Sequence, residues 1–240
     1  MSLSKIRYIK SKMILRQELP AVLEKNRPGN EQEIGMLLEI IDIDPVHVGA
    51  PKFDIVPTRK KWQCDIVKHV QLDGHWMEFG VREGTTIDWV LEVCPGQQIH
   101  GFDSWEGLPE KWDTGGHVYG VGDMAVPMPT FPQNVHLHKG WFDQTLEPWK
   151  KKHEGPVAYL HIDSDLYSSA IYVLDTLNDR IIPGTLIVFD ELVNFRLSGK
   201  LSNWYKHEWK AMFEWMMKHS RQLQPVARSC MDQVAFRVIK

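Results

Sequence analysis

The sequence predicts an α/β fold built on a mostly parallel sheet with helices on both faces. Short apolar runs alternate with helical stretches over most of the chain, as in successive strand–helix units. The predicted strands are apolar throughout, which is typical of strands covered on both faces. Acidic residues follow directly after several of them, at the positions where such sheets bind ligands.

The predicted elements follow one another from residue 75 onward. Strands are predicted at 75–79, 99–102, 135–137, 157–162 and 186–189, and helices at 85–93, 146–153 and 168–177. A final strand within 233–239 is expected to pair antiparallel at the edge of the sheet. The segment 107–134 is rich in glycine and proline, so we predict a mobile flap without regular structure there.

Residues 1–57 are predicted to form a helical appendage to one domain that spans residues 58–240. Within the appendage, residues 31–41 carry apolar side chains at the i, i+3, i+4, i+7 spacing of a helix. A second helix is predicted over 58–70, with Thr58 as its N-cap.

Composition and charge narrow the function classes. The chain of 240 residues is 43% hydrophobic and 25% charged, as in ordinary globular proteins. With a net charge of -3 and a pI of about 6.4, the chain is not expected to bind nucleic acid or a membrane. The three cysteines form no CxxC pair, and residues 1–12 lack the apolar stretch of a signal peptide. We therefore expect a cytoplasmic protein that binds a small molecule. The sequence does not fix its oligomeric state, and a homo-oligomer is possible.

The first predicted strand runs into a glycine turn, and the second ends in an acid. Gly80 and Gly84 permit a tight turn and a close approach of the backbone to a ligand. Asp103 lies 25 positions after Glu78, about where dinucleotide folds place the acid that binds a ribose. Together they predict a site for a cofactor that contains a nucleoside.

Two features of the turn favour S-adenosylmethionine over NAD. Its spacing is E-x-G-x-x-x-G rather than G-x-G-x-x-G, and it begins with Glu78. A carboxylate there would repel a pyrophosphate but would suit the ammonium group of a methionine moiety. An NAD-dependent oxidoreductase is the alternative, because it also needs a glycine turn and a ribose-binding acid.

Acidic residues also follow the last two strands of the predicted parallel series. One strand runs into Asp163, and the next runs into Asp190 and Glu191. Because adjacent parallel strands end at the same edge, these three carboxylates are expected around one point. They would raise one another's pKa unless a cation lay among them, and oxygen ligands suit Mg²⁺, Ca²⁺ or Mn²⁺. The alternative is that the two aspartates cap helices and that Glu191 faces solvent.

Several of these segments together resemble the macrocin O-methyltransferase-like (TylF/MycF-type) family. The resembling segments are 78–84, GFDSWEGLP at 101–109, GWFDQTL at 140–146, HIDSDLY at 161–167 and PGTLIVFD at 183–190. The resemblance implies a Rossmann-like class I methyltransferase fold with a seven-stranded sheet. It also implies S-adenosylmethionine as donor and Mg²⁺-assisted methylation of a hydroxyl, on a sugar or a glycosylated natural product for example.

The resemblance further implies roles for individual residues. The donor would be bound by residues of the first three strand ends: Glu78, Gly80, Gly84 and Thr86 at the glycine turn, Asp103 and Ser104 at the ribose, and Gly140, Trp141 and Phe142 beside the adenine. The metal would be held by Asp163, Asp190 and Glu191, and Asp163 would also receive the hydroxyl proton. Glu191 departs from the family's usual aspartate. Residues 1–57 match nothing in that family, so the acceptor is not inherited, and a catalytically silent binding module is a second alternative.

Three of the eleven histidines attract attention by their positions. His161 lies on a predicted strand just before Asp163, and we predict a buried, hydrogen-bonded imidazole rather than a catalytic base. His136 and His138 share one face of a short strand, but the sequence offers no third ligand beside them.

Overall fold

The structure is a computed structural model that describes residues 3–28, 30–45 and 55–240. Within these residues, the strands are β1 (His75–Phe79), β2 (Ile99–Asp103), β3 (Trp112–Asp113), β4 (Val118–Tyr119), β5 (Val135–Lys139), β6 (Val157–Ile162), β7 (Leu186–Phe189), β8 (Leu223–Arg228) and β9 (Val234–Val238). The helices are α1 (Leu3–Asn26), α2 (Glu31–Asp42), α3 (Ile55–Ile66), α4 (Thr85–Val93), α5 (Phe142–Lys152), α6 (Tyr167–Thr176) and α7 (Glu208–His219).

Seven of these strands form one sheet in the order β5-β2-β1-β6-β7-β9-β8. The five strands from β5 to β7 are parallel, and β9 and β8 run antiparallel beside them. Every residue of β6 and β7 is buried, as their continuous apolar runs predict. The predicted mostly parallel seven-stranded sheet is confirmed.

Two hydrophobic clusters lie on the two faces of the sheet, because side chains alternate along each strand. Met77 and Phe79 of β1 join one cluster, which also contains side chains of α1, α2, α5, α6 and α7. Trp76 joins the other, together with side chains of α3 and α4. Helices therefore cover both faces, and the ends of the parallel strands stay free to carry a site.

The C-terminal part of the sheet differs from its prediction. The predicted last strand exists as β9, but β9 lies between β7 and β8 rather than at the edge. The edge strand is β8, which the sequence pattern did not indicate. Its alternation is broken by Gln224 and Pro225, and an edge strand tolerates proline because one side needs no hydrogen bonds.

The segment 107–134 also departs from its prediction, because β3 and β4 form a small antiparallel pair inside it. Gly115, with φ of +83°, supplies the reversal between the two strands. Trp112 is 6% exposed, and its ring stacks on that of Tyr119 at 5.1 Å between centroids. The expectation of no regular structure is wrong, whereas mobility of the segment stays a prediction.

The N-terminal helices are packed onto the rest of the molecule. The predicted helix 31–41 is present as α2, and its buried carboxylate Glu33 accepts a hydrogen bond of 2.7 Å from Trp209 Nε1 of α7. Arg27 forms an ion pair with the same carboxylate. Thr58 lies inside α3 instead of capping it, so the expected boundary between residues 57 and 58 falls within a helix. The division into an appendage and one domain stays a prediction.

No helix in the part of the chain that the structure describes is long and apolar enough to cross a membrane. The cysteines Cys64, Cys94 and Cys230 are free thiols.

Candidate active site

The glycine turn after β1 is packed against the end of β6. Gly80 has φ of +90°, and a Cβ there would lie 1.7 Å from the carbonyl oxygen of Asp163. The backbone N–H of Asp163 donates to the carbonyl of Phe79 at 2.9 Å, and the N–H of Gly80 donates to Phe102 at 3.0 Å. Only glycine fits this close approach, which joins three strand ends at one edge of the sheet.

Asp103 is brought to this turn, as predicted, and its carboxylate accepts backbone hydrogen bonds. Oδ2 accepts from the N–H groups of Val81 at 2.9 Å and Arg82 at 2.7 Å. Oδ1 accepts from the N–H of Trp105 at 2.7 Å. Asp103 therefore ties the loop after β2 to the glycine turn, and Oδ1, which accepts one of these bonds, keeps lone-pair capacity toward a ligand.

A cavity of about 980 Å³ opens at this edge of the sheet. Eight of the predicted site residues lie on its wall: Gly80, Thr86, Asp103, Ser104, Trp141, Phe142, Asp163 and Glu191. The others are not part of the wall: Glu78, Gly84, Gly140 and Asp190. The cavity is continuous from the glycine turn to the carboxylates after β6 and β7.

Glu78 is buried and does not form part of the cavity wall. It pairs with His161 in the register of β1 and β6, so the two side chains share one face. Its Oε2 lies 3.2 Å from His161 Nδ1. Burial raises the pKa of Glu78 even though the hydrogen bond with His161 opposes that rise. Contact of Glu78 with the methionine part of a donor stays a prediction.

The predicted carboxylate cluster is present, but its members are grouped differently. Oxygens of Asp163, Asp165 and Glu191 lie within 4.8 Å of one another. Asp190 instead contacts Arg59 of α3, with 2.6 Å between its Oδ2 and Nη2. Atoms of His161, Asp163 and Asp190 form a second group within the same distance limit, so Asp163 belongs to both groups. The metal set Asp163, Asp190 and Glu191 stays a prediction.

Charges within the cluster shift the pKa values in opposite directions. Burial and the charge of Asp190 raise the pKa of Asp165 to about 7. The same causes raise the pKa of Asp163 and of Glu191. Burial alone would raise the pKa of Asp190, but Arg59 and then His161 outweigh it and hold that pKa below its ordinary value.

Glu208, the first residue of α7, connects the two acidic loops. One of its oxygens accepts from the N–H of Ser164 at 3.3 Å, and the other accepts from the N–H of Glu191 at 3.2 Å. The sequence analysis missed Glu208, Asp165 and Arg59. Asp165 had a visible signal, since it stands two positions after Asp163, whereas the other two come from distant helices.

The donor set fits a hard divalent cation. Asp163, Asp165 and Glu191 offer oxygen ligands, which Mg²⁺ and Mn²⁺ prefer. Among the described residues, Glu191 Oε2 and Ser164 Oγ are buried without a hydrogen-bond partner. Ser164 is 8% exposed and lies on the cavity wall. Buried, unpartnered oxygens beside several carboxylates are what a cation would satisfy.

Comparison with known proteins agrees with the fold. A family model described as a methyltransferase domain matches residues 77–192. The structure is similar to that of CalS11, a calicheamicin methyltransferase, with a TM-score of 0.62 and 19% identity over 95% of this chain and 91% of that one. The apo structure of CalS11, described as a TDP-rhamnose 3'-O-methyltransferase, gives a TM-score of 0.54 at 18% identity over 95% and 93% of the two chains. The O-methyltransferase NovP gives 0.57 at 19% identity over 76% and 80%.

A search of curated proteins returned no match to the sequence. The family match covers slightly less than half of the chain, and the solved structures that the chain resembles support its fold. The fold is that of the class I methyltransferases, as the sequence predicts. The narrower resemblance to the macrocin O-methyltransferase-like family stays a prediction.

Proposed function

We propose that this chain is an S-adenosylmethionine-dependent O-methyltransferase that acts on a hydroxyl of a small molecule, such as a sugar or a glycosylated natural product. The observation that carries this proposal is the continuity of one cavity. It joins the glycine turn and Asp103 at one side to Asp163, Asp165 and Glu191 at the other. A donor and an acceptor can thus lie in one space.

On the donor side, the backbone of Gly80 lies on the wall beside Asp103, whose remaining lone pairs face ribose hydroxyls in this proposal. Trp141 and Phe142, at the start of α5, offer apolar surface to an adenine ring. Gly84 and Gly140 do not contact the donor in this proposal. They contribute only by allowing the backbone to turn. When bound, S-adenosylmethionine supplies a methyl group already activated by its sulfonium.

On the acceptor side, Asp163 accepts the hydroxyl proton at a carboxylate oxygen in this proposal. Its side chain is 27% exposed, so it reaches the cavity. Without a bound cation, burial and the charge of Asp190 raise the pKa of Asp163 and so favour its uptake of a proton. A divalent cation held by Asp163, Asp165 and Glu191 would supply Lewis acidity to that hydroxyl. Trp112 and Tyr172 on the wall provide faces against which a sugar can stack.

The similarity to CalS11 and NovP supports the chemical class, since both proteins are described as methyltransferases and NovP as an O-methyltransferase. The methyltransferase domain match counts against the NAD-dependent alternative. A silent binding module differs from an enzyme in one respect, because it would bind the donor without transferring its methyl group.

Calorimetry with S-adenosylhomocysteine tests the donor site. Wild type should bind it both with and without EDTA, and should not bind NAD. Asp103→Ala should weaken binding by about 2–4 kcal/mol, because charge-assisted hydrogen bonds to the ribose are lost. Asp113→Ala is the matched control, since Asp113 at the end of β3 also accepts a backbone hydrogen bond, from Gly115, but lies outside the cavity wall. Unchanged affinity in Asp103→Ala would show that Asp103 only stabilises the loop and does not bind the donor.

A further inference from the structure

We propose that Arg59 is an internal counter-cation that limits how tightly the carboxylate cluster binds a divalent cation. It does so by holding Asp190 out of the ligand set. This inference rests on the metal-assisted part of the proposed function. Arg59 belongs to α3, which lies outside the domain match at residues 77–192. In this proposal, α3 therefore controls the metal affinity of a site at the strand ends.

The contacts of Arg59 place its charge inside the cluster. Its Nη2 lies 2.6 Å from Asp190 Oδ2 and 3.7 Å from Asp163 Oδ2. The Arg59 side chain is 32% exposed and lies on the cavity wall, whereas Asp190 is 5% exposed. A guanidinium keeps its charge at every physiological pH and binds carboxylates through a planar fork. Arg59 therefore stays paired with Asp190 at every physiological pH.

The cluster consequently has one closely paired member, Asp190, and a second part, called the unpaired half, in which only Asp163 lies near Arg59, at 3.7 Å. Asp190 lies between Arg59 and His161, whose Nε2 is 3.7 Å from Asp190 Oδ1. Asp163, Asp165 and Glu191 converge on the other side, and Glu191 Oε2 has no hydrogen-bond partner among the described residues. A divalent cation is thus drawn to the unpaired half, and the charge of Arg59 near Asp163 opposes its binding.

The competing explanation is that Arg59 is only a structural ion pair. A structural pair would stabilise the junction of α3 with β7 and would not set the affinity for a metal. The two explanations differ in sign: loss of a counter-cation tightens metal binding, whereas loss of a purely structural contact leaves it unchanged or weakens it.

Calorimetric titration with Mn²⁺ on the full chain distinguishes them. We expect Arg59→Gln to bind Mn²⁺ about tenfold more tightly than wild type, because a repelling charge is removed and Asp190 is released. Arg59→Lys keeps the charge and should stay near wild type. Lys60→Gln is the matched control, since Lys60 is the next residue of α3 and pairs with the exposed Glu92. In the Asp190→Asn background, most of the Arg59→Gln gain should disappear.

A second pair of variants keeps the test decisive if Arg59→Gln does not fold. Asp165→Asn should weaken Mn²⁺ binding by about tenfold or more, and Asp190→Asn should weaken it less. A larger loss in Asp190→Asn would overturn the inference, as would an Arg59→Gln protein that is folded but binds Mn²⁺ no more tightly than wild type. If neither wild type nor Arg59→Gln binds Mn²⁺, the metal-assisted part of the proposed function fails as well. Binding of S-adenosylhomocysteine then still reports on the donor site separately.

Discussion

Two buried histidines on strands of the same sheet have opposite acid–base character. His161 of β6 is fully buried, and its pKa rises to about 10. His100 of β2 is also buried, and its pKa falls to about 3. The residue type is the same and both side chains are buried, so the neighbours decide the sign of the pKa shift.

The neighbours of His161 are carboxylates. Burial opposes its protonation, but Asp190 and Glu78 outweigh that cost and stabilise the imidazolium. The neighbours of His100 are other rings that carry no negative charge. Burial lowers the pKa of His100 first, and His138, with 3.1 Å between the facing ring nitrogens, lowers it further.

The two regions also differ in their access to the cavity. The carboxylate region, defined as Glu78, Asp163, Asp165, Asp190 and Glu191 around His161, borders the cavity through three of these acids. The imidazole region consists of His75, His100, His136, His138 and His153 around Trp149, and none of these residues lies on the cavity wall. We therefore expect chemistry in the first region and only packing in the second.

The largest expected effect is on methyl transfer. Asp163→Asn should lower kcat by about 10²–10⁴-fold, because the amide cannot accept the hydroxyl proton. His138→Gln, in the imidazole region, should leave kcat within about twofold of wild type, since His138 lies outside the cavity wall. Steady-state rates on any hydroxyl acceptor found check both values. Equal losses in the two variants would remove the functional distinction between the regions.

The next effect is on stability. His161→Gln should lower the free energy of unfolding by about 3–5 kcal/mol, because it leaves buried carboxylates without their cation. His100→Gln should cost only about 1–3 kcal/mol, since it disturbs neutral hydrogen bonds. Urea unfolding at pH 7 measures both. A larger loss in His100→Gln would show that charge is not what separates the two sites.

The smallest effect, counted per pH unit, is the dependence of the free energy of unfolding on pH. Its direction differs between the two regions. Unfolded histidine has a pKa of about 6.5. His161 has a higher pKa when folded, so its contribution is complete below pH 6.5 and is lost as pH rises toward 10. His100 has a lower folded pKa, so its contribution is complete above pH 6.5 and is lost as pH falls toward 3. Each slope should be about 1.4 kcal/mol per pH unit.

Urea unfolding from pH 5 to pH 9 tests these slopes by comparison with the variants. His161→Gln should flatten the alkaline side, and His100→Gln should flatten the acidic side. The comparison is needed because Asp165, with a pKa of about 7, titrates in the same range. A variant that keeps the wild-type slope would contradict the assignment for that histidine.

Much of the fold could be predicted because its signals are local. The strands β1, β6 and β7 have the predicted bounds, since each is a short apolar run ended by a glycine or an acid. The topology then brought Asp103 to the glycine turn and gathered the acids after β6 and β7. The buried state of His161 was also predicted correctly.

The remaining features depend on side chains that meet from distant segments. Arg59 lies 131 positions from Asp190, and no sequence spacing indicates that they pair. His100 lies 38 positions from His138, so the pair of histidines on β5 appeared to lack a further neighbour. Such contacts follow from tertiary packing, which the period of an apolar pattern does not encode.

The position of β9 gives the sheet a particular order of assembly during synthesis. Residues 234–238 leave the ribosome after all the other strands, yet they pair with β7 in the interior of the sheet. The N–H groups of Leu192 and Val193, just after Glu191, donate to the carbonyl of Asp232. A nascent chain that ends before residue 234 therefore has an unpaired β7 edge and an unsupported acidic loop. An unpaired edge of this kind can pair with strands of other chains. Pairing of β9 with β7 therefore protects the molecule against aggregation.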